Sequence, residues 1–149
     1  MKIEGERQYL WRAVDQDGDV IDILVQRYRN ARAAKRFFLE LLKGQGSRPW
    51  RLVTDKLGSY GAAHRNIMPS VDHNTEHYPN NLAEVSHQPT RQRERQMRRF
   101  RSAGSAQRFL SVHGVILNLF NLGRHQLSSA NYRLLRERAF NEWNAAAAA

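Results

Sequence analysis

The sequence predicts one α/β domain with a helical C-terminal third, on three observations. Short β-branched runs alternate with helical patterns over the first half, giving the order β-β-α-β-α-β-α-α-α. From Ser105 onward the apolar spacing is helical throughout. No internal repeat or domain-sized linker divides the 149 residues, of which 41% are hydrophobic, enough for one core.

Each element has its own reason. RQYLWRAV and DVIDILVQ flank the turn residues DQDG, which predicts a β-hairpin with its loop at Asp15 to Gly18. Asn30 is placed to cap a helix in which Ala34, Phe37, Phe38, Leu41 and Leu42 keep helical spacing, and Gly44 is the expected stop. RLVT reads as a short buried strand ending at Asp55. YGAAHRNIM reads as a short helix closed by Pro69, and VDHNTEH as a further short strand. The pattern is helical again from Asn80, although Pro89 lacks an N–H and is expected to kink or break that helix. Helices over Ser105 to Leu122 and from Ser128 or Ser129 to Trp143 complete the chain. The second of these carries Tyr132, Leu135, Ala139 and Trp143 on one stripe.

Composition narrows the function. Without cysteine there is neither a disulfide framework nor a thiolate metal site. No apolar run is long enough to span a membrane, and MKIEGERQ is too polar for a signal peptide, so a cytoplasmic protein with no membrane partner is expected. The net charge of +10 favours a polyanionic partner. It is concentrated: between Ser86 and Arg133 nine arginines face one acid, Glu94.

Two acids stand out. Asp55 follows an apolar strand, where α/β sheets place their sites, though a loop-capping aspartate reads the same way. Glu84, in NNLAEVSH, opens a helix that runs into Arg91, Arg93, Arg95, Arg98 and Arg99, though an exposed helical glutamate needs no further role. Two carboxylates converging on a divalent cation beside a phosphate-binding surface suit metal-assisted phosphodiester chemistry. Other patterns are weaker. Glu84 and His87 lack the second Glu-x-x-His of a di-iron site, and His73 and His77 lack zinc partners and read as surface residues. Asp15, Asp17, Asp19 and Asp22 lack the glycine and glutamate of a calcium loop and read as hairpin-turn acids.

Taken together, YLWRAVDQDGDVIDILVQRYRNARAAKRFFLELLK, VTDKLGSYGAA and NNLAEVSHQPTRQRERQMRRF resemble bacterial insertion-sequence transposases of the DDE superfamily, in the insertion-sequence-six group. The resemblance covers essentially the whole chain, with 28 residues between Asp55 and Glu84. It implies an RNase H-like mixed sheet with flanking helices, and a single catalytic domain over residues 1–149. It further implies two magnesium ions (manganese substituting), DNA as partner at transposon ends and target, a homo-oligomer, and strand cleavage and transfer.

Under this resemblance Asp55 matches the family's second acid and Glu84 its third, both as catalytic residues and metal ligands. Arg91, seven residues past Glu84, matches a basic position expected to hold a DNA phosphate. Asn81 and His87 flank Glu84 in family-like positions; Lys56, Arg93, Arg95, Arg98 and Arg99 complete the expected DNA-binding set. The first acid belongs to a motif of which only the end, Lys2 to Gly5, is matched, and neither Glu4 nor Asp15 replaces it. The helix-turn-helix region of such transposases is unmatched too. The expectation is therefore a truncated, inactive catalytic domain, with a non-catalytic basic DNA- or RNA-binding module as the alternative.

Overall fold

The computed structural model describes residues 1–96, 100–123 and 126–149, with the side chains of 77–84, 86 and 96 outside the description. Among them the chain runs β1 (Lys2–Ile3), β2 (Glu6–Arg7), β3 (Tyr9–Val14), β4 (Val20–Gln26), α1 (Ala31–Gln45), β5 (Arg51–Val53), α2 (Gly58–Ile67), β6 (Asp72–Asn74), α3 (His77–Gln96), α4 (Ala103–Phe120) and α5 (Ser129–Ala148). No helix among the described residues is long and apolar enough to cross a membrane. The expected order is present, with the short pair β1–β2 in front of it.

The hairpin forms where the pattern places it. Asp15 Oδ1 accepts the N–H groups of Asp17 and Asp19, each at 2.9 Å, so this acid holds the turn. In the ladder Trp11 lies opposite Leu24, and Arg12 opposite Ile23. Side chains alternate across a strand. Trp11 and Leu24 therefore meet α1 and α2, in a core with Ala34, Phe37, Phe38, Ala63 and Met68. Leu10, Ile23 and Val25 turn the other way, to Phe100, Ala106 and Leu110. The hairpin is thus a middle layer between α1–α2 and α4, and α3 packs on β3.

On the α4 side the contact is polar as well as apolar. Gln107 accepts from Val25 N–H at 2.7 Å and donates to Ile23 C=O at 2.8 Å. Asn118, about three turns on, exchanges two 2.8 Å bonds with the backbone of Val20. These two amides satisfy edge groups that a neighbouring strand would otherwise take. Between them Gly114 lets the helix approach, since a Cβ there would come within 3.3 Å of Ile23 Cδ1 and Val20 Cγ1.

Several expectations change. A single mixed sheet is not what the described residues form: both pairings occur, in three separate two-stranded pieces, β1–β2 and β3–β4 antiparallel and β5–β6 parallel. One cause is visible at β4, whose free edge is already bonded by α4. β5 is half-buried rather than buried, with Arg51 exposed. α1 stops at Gly46, not Gly44, because Gly46 takes the left-handed conformation (φ 66°) and bonds back to Leu42. α3 begins at His77 and continues through Pro89. One missing N–H and one lost carbonyl bond cost about 3 kcal/mol, which packing on β3 offsets. α4 starts two residues early, because Ser102 and Ser105 form a capping box. α5 continues through the alanine tail, with Ala139 buried and Trp143 exposed at 39%.

Candidate functional site

Asp55 lies just past the C-terminal end of β5, where the parallel partner β6 holds the chain. Thr54 N–H bonds to Asn74 C=O at 3.0 Å. The Thr54 hydroxyl donates to the Asp55 carbonyl at 3.0 Å, so at 2.8 Å it accepts from His73 Nε2. His73 is thereby half-buried and structural, correcting its reading as a surface residue. Its neighbour His64 donates to Val71 C=O at 2.8 Å, with the rings 4.6 Å apart. Burial first, then His64, pushes His73 below the usual histidine range, so it is neutral near pH 7.

Both Asp55 oxygens are engaged. Oδ1 accepts Leu57 N–H at 3.0 Å, which makes the loop-capping role real and leads the chain into α2. Oδ2 meets Arg29 at 2.9 Å, in a pair that remains 46% and 39% exposed. Below them Tyr60 packs edge-on against Trp11 and stacks on Phe38. Burial and then the Asp55 carboxylate push its hydroxyl up to about 12. Arg29, Thr54, His73 and Tyr60 were not legible as site residues, because only the fold brings them to Asp55.

α3 starts at the same end of the β5–β6 pair, His77 lying three residues beyond Asn74. Glu84 is placed on this helix about 10 Å from its start, at ~1.5 Å per residue, and Arg91 and Arg95 follow on the same face. The carboxylate of Glu84 and the side chain of Asn81 lie outside the described residues, as do Arg98 and Arg99. Arg91, Arg93 and Arg95 are exposed, and so is Lys56 beside Asp55.

The flank of α3 that carries His87 and Thr90 packs against a buried cation of β3. Arg12, 7% exposed, donates to the hydroxyl of Thr90, which is 1% exposed. Burial brings Arg12 down to about 10, so it stays charged at neutral pH. Burial, then Arg12 and Arg91, pushes His87 down to about 4. His113 on α4 is lowered by burial and then by Arg12 and Arg93. His87 is thus a neutral residue packed under the helix. A cleft of about 660 Å³ between β4 and α1 is lined by Asp22, Arg36, Glu40 and Lys43, and by none of these groups.

Among the described residues no three His, Cys, Asp or Glu side chains are grouped to hold a metal ion. Asp55 is one carboxylate whose available oxygen is held by Arg29, so these residues do not by themselves fit a divalent ion.

Comparison with known proteins gives a consistent result. A family model described as "DDE domain" matches residues 1–122. The transposase for insertion sequence-like element IS431mec of Staphylococcus aureus is 30% identical over 132 residues, covering 85% of this chain and 57% of its own. The same figures hold for the transposase for insertion sequence element IS257 in transposon Tn4003 of Staphylococcus aureus. The chain therefore spans just over half the length of these relatives. No solved structure matches it.

Proposed function

The chain belongs to the DDE-type insertion-sequence transposases of the insertion-sequence-six group, and from that premise we propose that it is the DNA-engaging part of an RNase H-like catalytic domain. The observation that carries this reading is shared placement. Asp55 lies two residues past the end of β5, α3 leaves the same end of the β5–β6 pair, and α3 presents Arg91 and Arg95 two and three turns beyond Glu84. A DNA backbone lying along this face of the helix meets the guanidinium groups of Arg91 and Arg95 and, further toward the helix start, the position of Glu84.

In this reading Asp55 and Glu84 are the second and third of the three family acids, and no residue of this sequence is matched to the first. By the family resemblance the ion they would share with a further acid would be magnesium, or manganese as a substitute, and it would stabilise charge on the oxygens of a phosphodiester. The chain's own residues do the rest. Arg91, Arg93, Arg95 and Lys56 bind phosphates without regard to sequence. Thr54, through His73, holds the turn that aims Asp55. His87, Thr90 and Arg12 seat α3 on β3. Arg29 holds the Asp55 carboxylate at 2.9 Å.

The test is a titration of duplexes of unrelated sequence at several salt concentrations. Binding should weaken steeply as salt rises, with Arg91→Ala and Arg95→Ala each reducing the log–log slope by about 1 on every sequence. A flat salt dependence, or tight binding to one sequence alone, would overturn the reading. In parallel, a labelled transposon-end duplex with magnesium or manganese should stay uncut by the 149 residues. It should be nicked once the family's Asp-Glu strand is added at the N-terminus. Cleavage by the short polypeptide that Asp55→Asn abolishes would keep the site and refute the inactivity.

A further inference from the structure

The loop between β4 and α1 has three of its four residues tied down. Arg27 bonds Glu6 at 2.9 Å, Arg29 bonds Asp55 at 2.9 Å, and Asn30 caps α1 by accepting Ala33 N–H at 3.0 Å. The fourth, Tyr28, is 61% exposed, with the Arg27 guanidinium 6.0 Å from its ring centre. A lone exposed aromatic is ordinary on a protein surface. This one is held on a fixed loop, between two arginines, and one of those touches the candidate acid. Arg32 and Lys56 are exposed nearby in the chain and beside Asp55, so the surround is cationic.

We propose that Tyr28, flanked by Arg27 and Arg29, is a stacking platform for an unpaired nucleotide of a DNA strand entering the Asp55 site. The proposal rests on the DNA-binding reading above and adds the form of the DNA. A base offers its face to an aromatic ring only when it is unstacked, so the ring selects single-stranded or frayed DNA over intact duplex. The flanking arginines suit the phosphates on either side. Both acid pairs are half-exposed and weak, so phosphates can displace Glu6 and Asp55 from them. Because the loop is only four residues long, between the end of β4 at Gln26 and the Asn30 cap of α1, the ring loses little freedom on binding even when the two acids are displaced.

The experiment uses the 149-residue chain with fluorescein-labelled 20-nucleotide oligodeoxythymidylate and a duplex of the same length, read by anisotropy. Tyr28→Ala should weaken single-strand binding at least about fivefold, with less than a twofold change on duplex and an unchanged salt slope. Tyr28→Phe should retain single-strand binding, since the ring does the stacking. Trp50→Ala, which removes an exposed aromatic elsewhere in the chain, should have no effect. Equal losses on both DNAs, or no loss on the single strand, would overturn the platform. Wild-type binding to duplex alone would remove the platform and leave the proposed function standing, whereas binding to neither DNA would remove both.

Discussion

Trp11 and Arg12 are neighbours in one strand and face opposite worlds. Trp11, 2% exposed, is enclosed by Phe37, Phe38 and Tyr60 on the α1–α2 side. Arg12, 7% exposed, faces Thr90, His87 and His113 from α3 and α4. The first face is held by dispersion and apolar burial, which tolerate no void. The second includes the Arg12–Thr90 hydrogen bond, whose buried partners are costly to separate. The hairpin thus gains its stability on one side, while its other side supports the helix that carries the arginines.

Four measurements break or sharpen this contrast. The largest effect belongs to the apolar face: Phe38→Ala should cost about 3–5 kcal/mol, read as a lower urea midpoint. A cost below about 1 kcal/mol would mean that this face is not the main source of stability.

Next comes pH. Unfolded His87 titrates near 6.5 and the folded side chain at about 4, so between these values the unfolded chain binds more protons. Stability should be complete above about pH 6.5 and fall by on the order of 3 kcal/mol as pH drops to 4. His87→Gln should flatten most of this slope, leaving the smaller parts due to His73 and His113, which are depressed in the same direction. An unaltered profile in His87→Gln would remove His87 from the account of the polar face.

Thr90→Val should cost about 1–3 kcal/mol, because it takes an acceptor from a buried guanidinium. Combining it with Arg12→Met should cost less than the sum of the two single changes. Strict additivity in that double-mutant cycle would show that the two side chains act independently.

The smallest effect is at the β4 edge, where Gln107→Ala and Asn118→Ala should each cost about 1 kcal/mol. Hydrogen exchange at Val20 and Val25 amides should rise in step, since each loses its acceptor. Unchanged protection there would mean that water, not α4, satisfies the edge.

The candidate site was marked in the sequence by local relations and by resemblance: Asp55 by following an apolar run, Arg95 as part of an arginine run, and Glu84 and Arg91 by the family pattern. Arg29 was not legible: it stands 26 residues before Asp55, and nothing local to RYRN marks a partner. His73 was misread for the same reason, since a histidine with no metal partner looks exposed until β6 pairs with β5 and turns it to Thr54. Pro89 misled in the other direction, its local penalty being real but smaller than the packing of α3.

The sequence by itself determined the element order, the hairpin turn at Asp15, the cap at Asn30, the start of the last helix at Ser128 or Ser129, and the family. Each of these depends on residues close in the chain or on a pattern read directly along it. The tertiary structure alone decided that Gln107 and Asn118 bond the edge of β4 and that Arg12 lies buried against Thr90. It also decided that Arg29 closes on Asp55 and that Tyr28 is left outside. These depend on which surfaces meet when the layers stack, and a hydrogen bond between residues tens of positions apart leaves no period in the sequence.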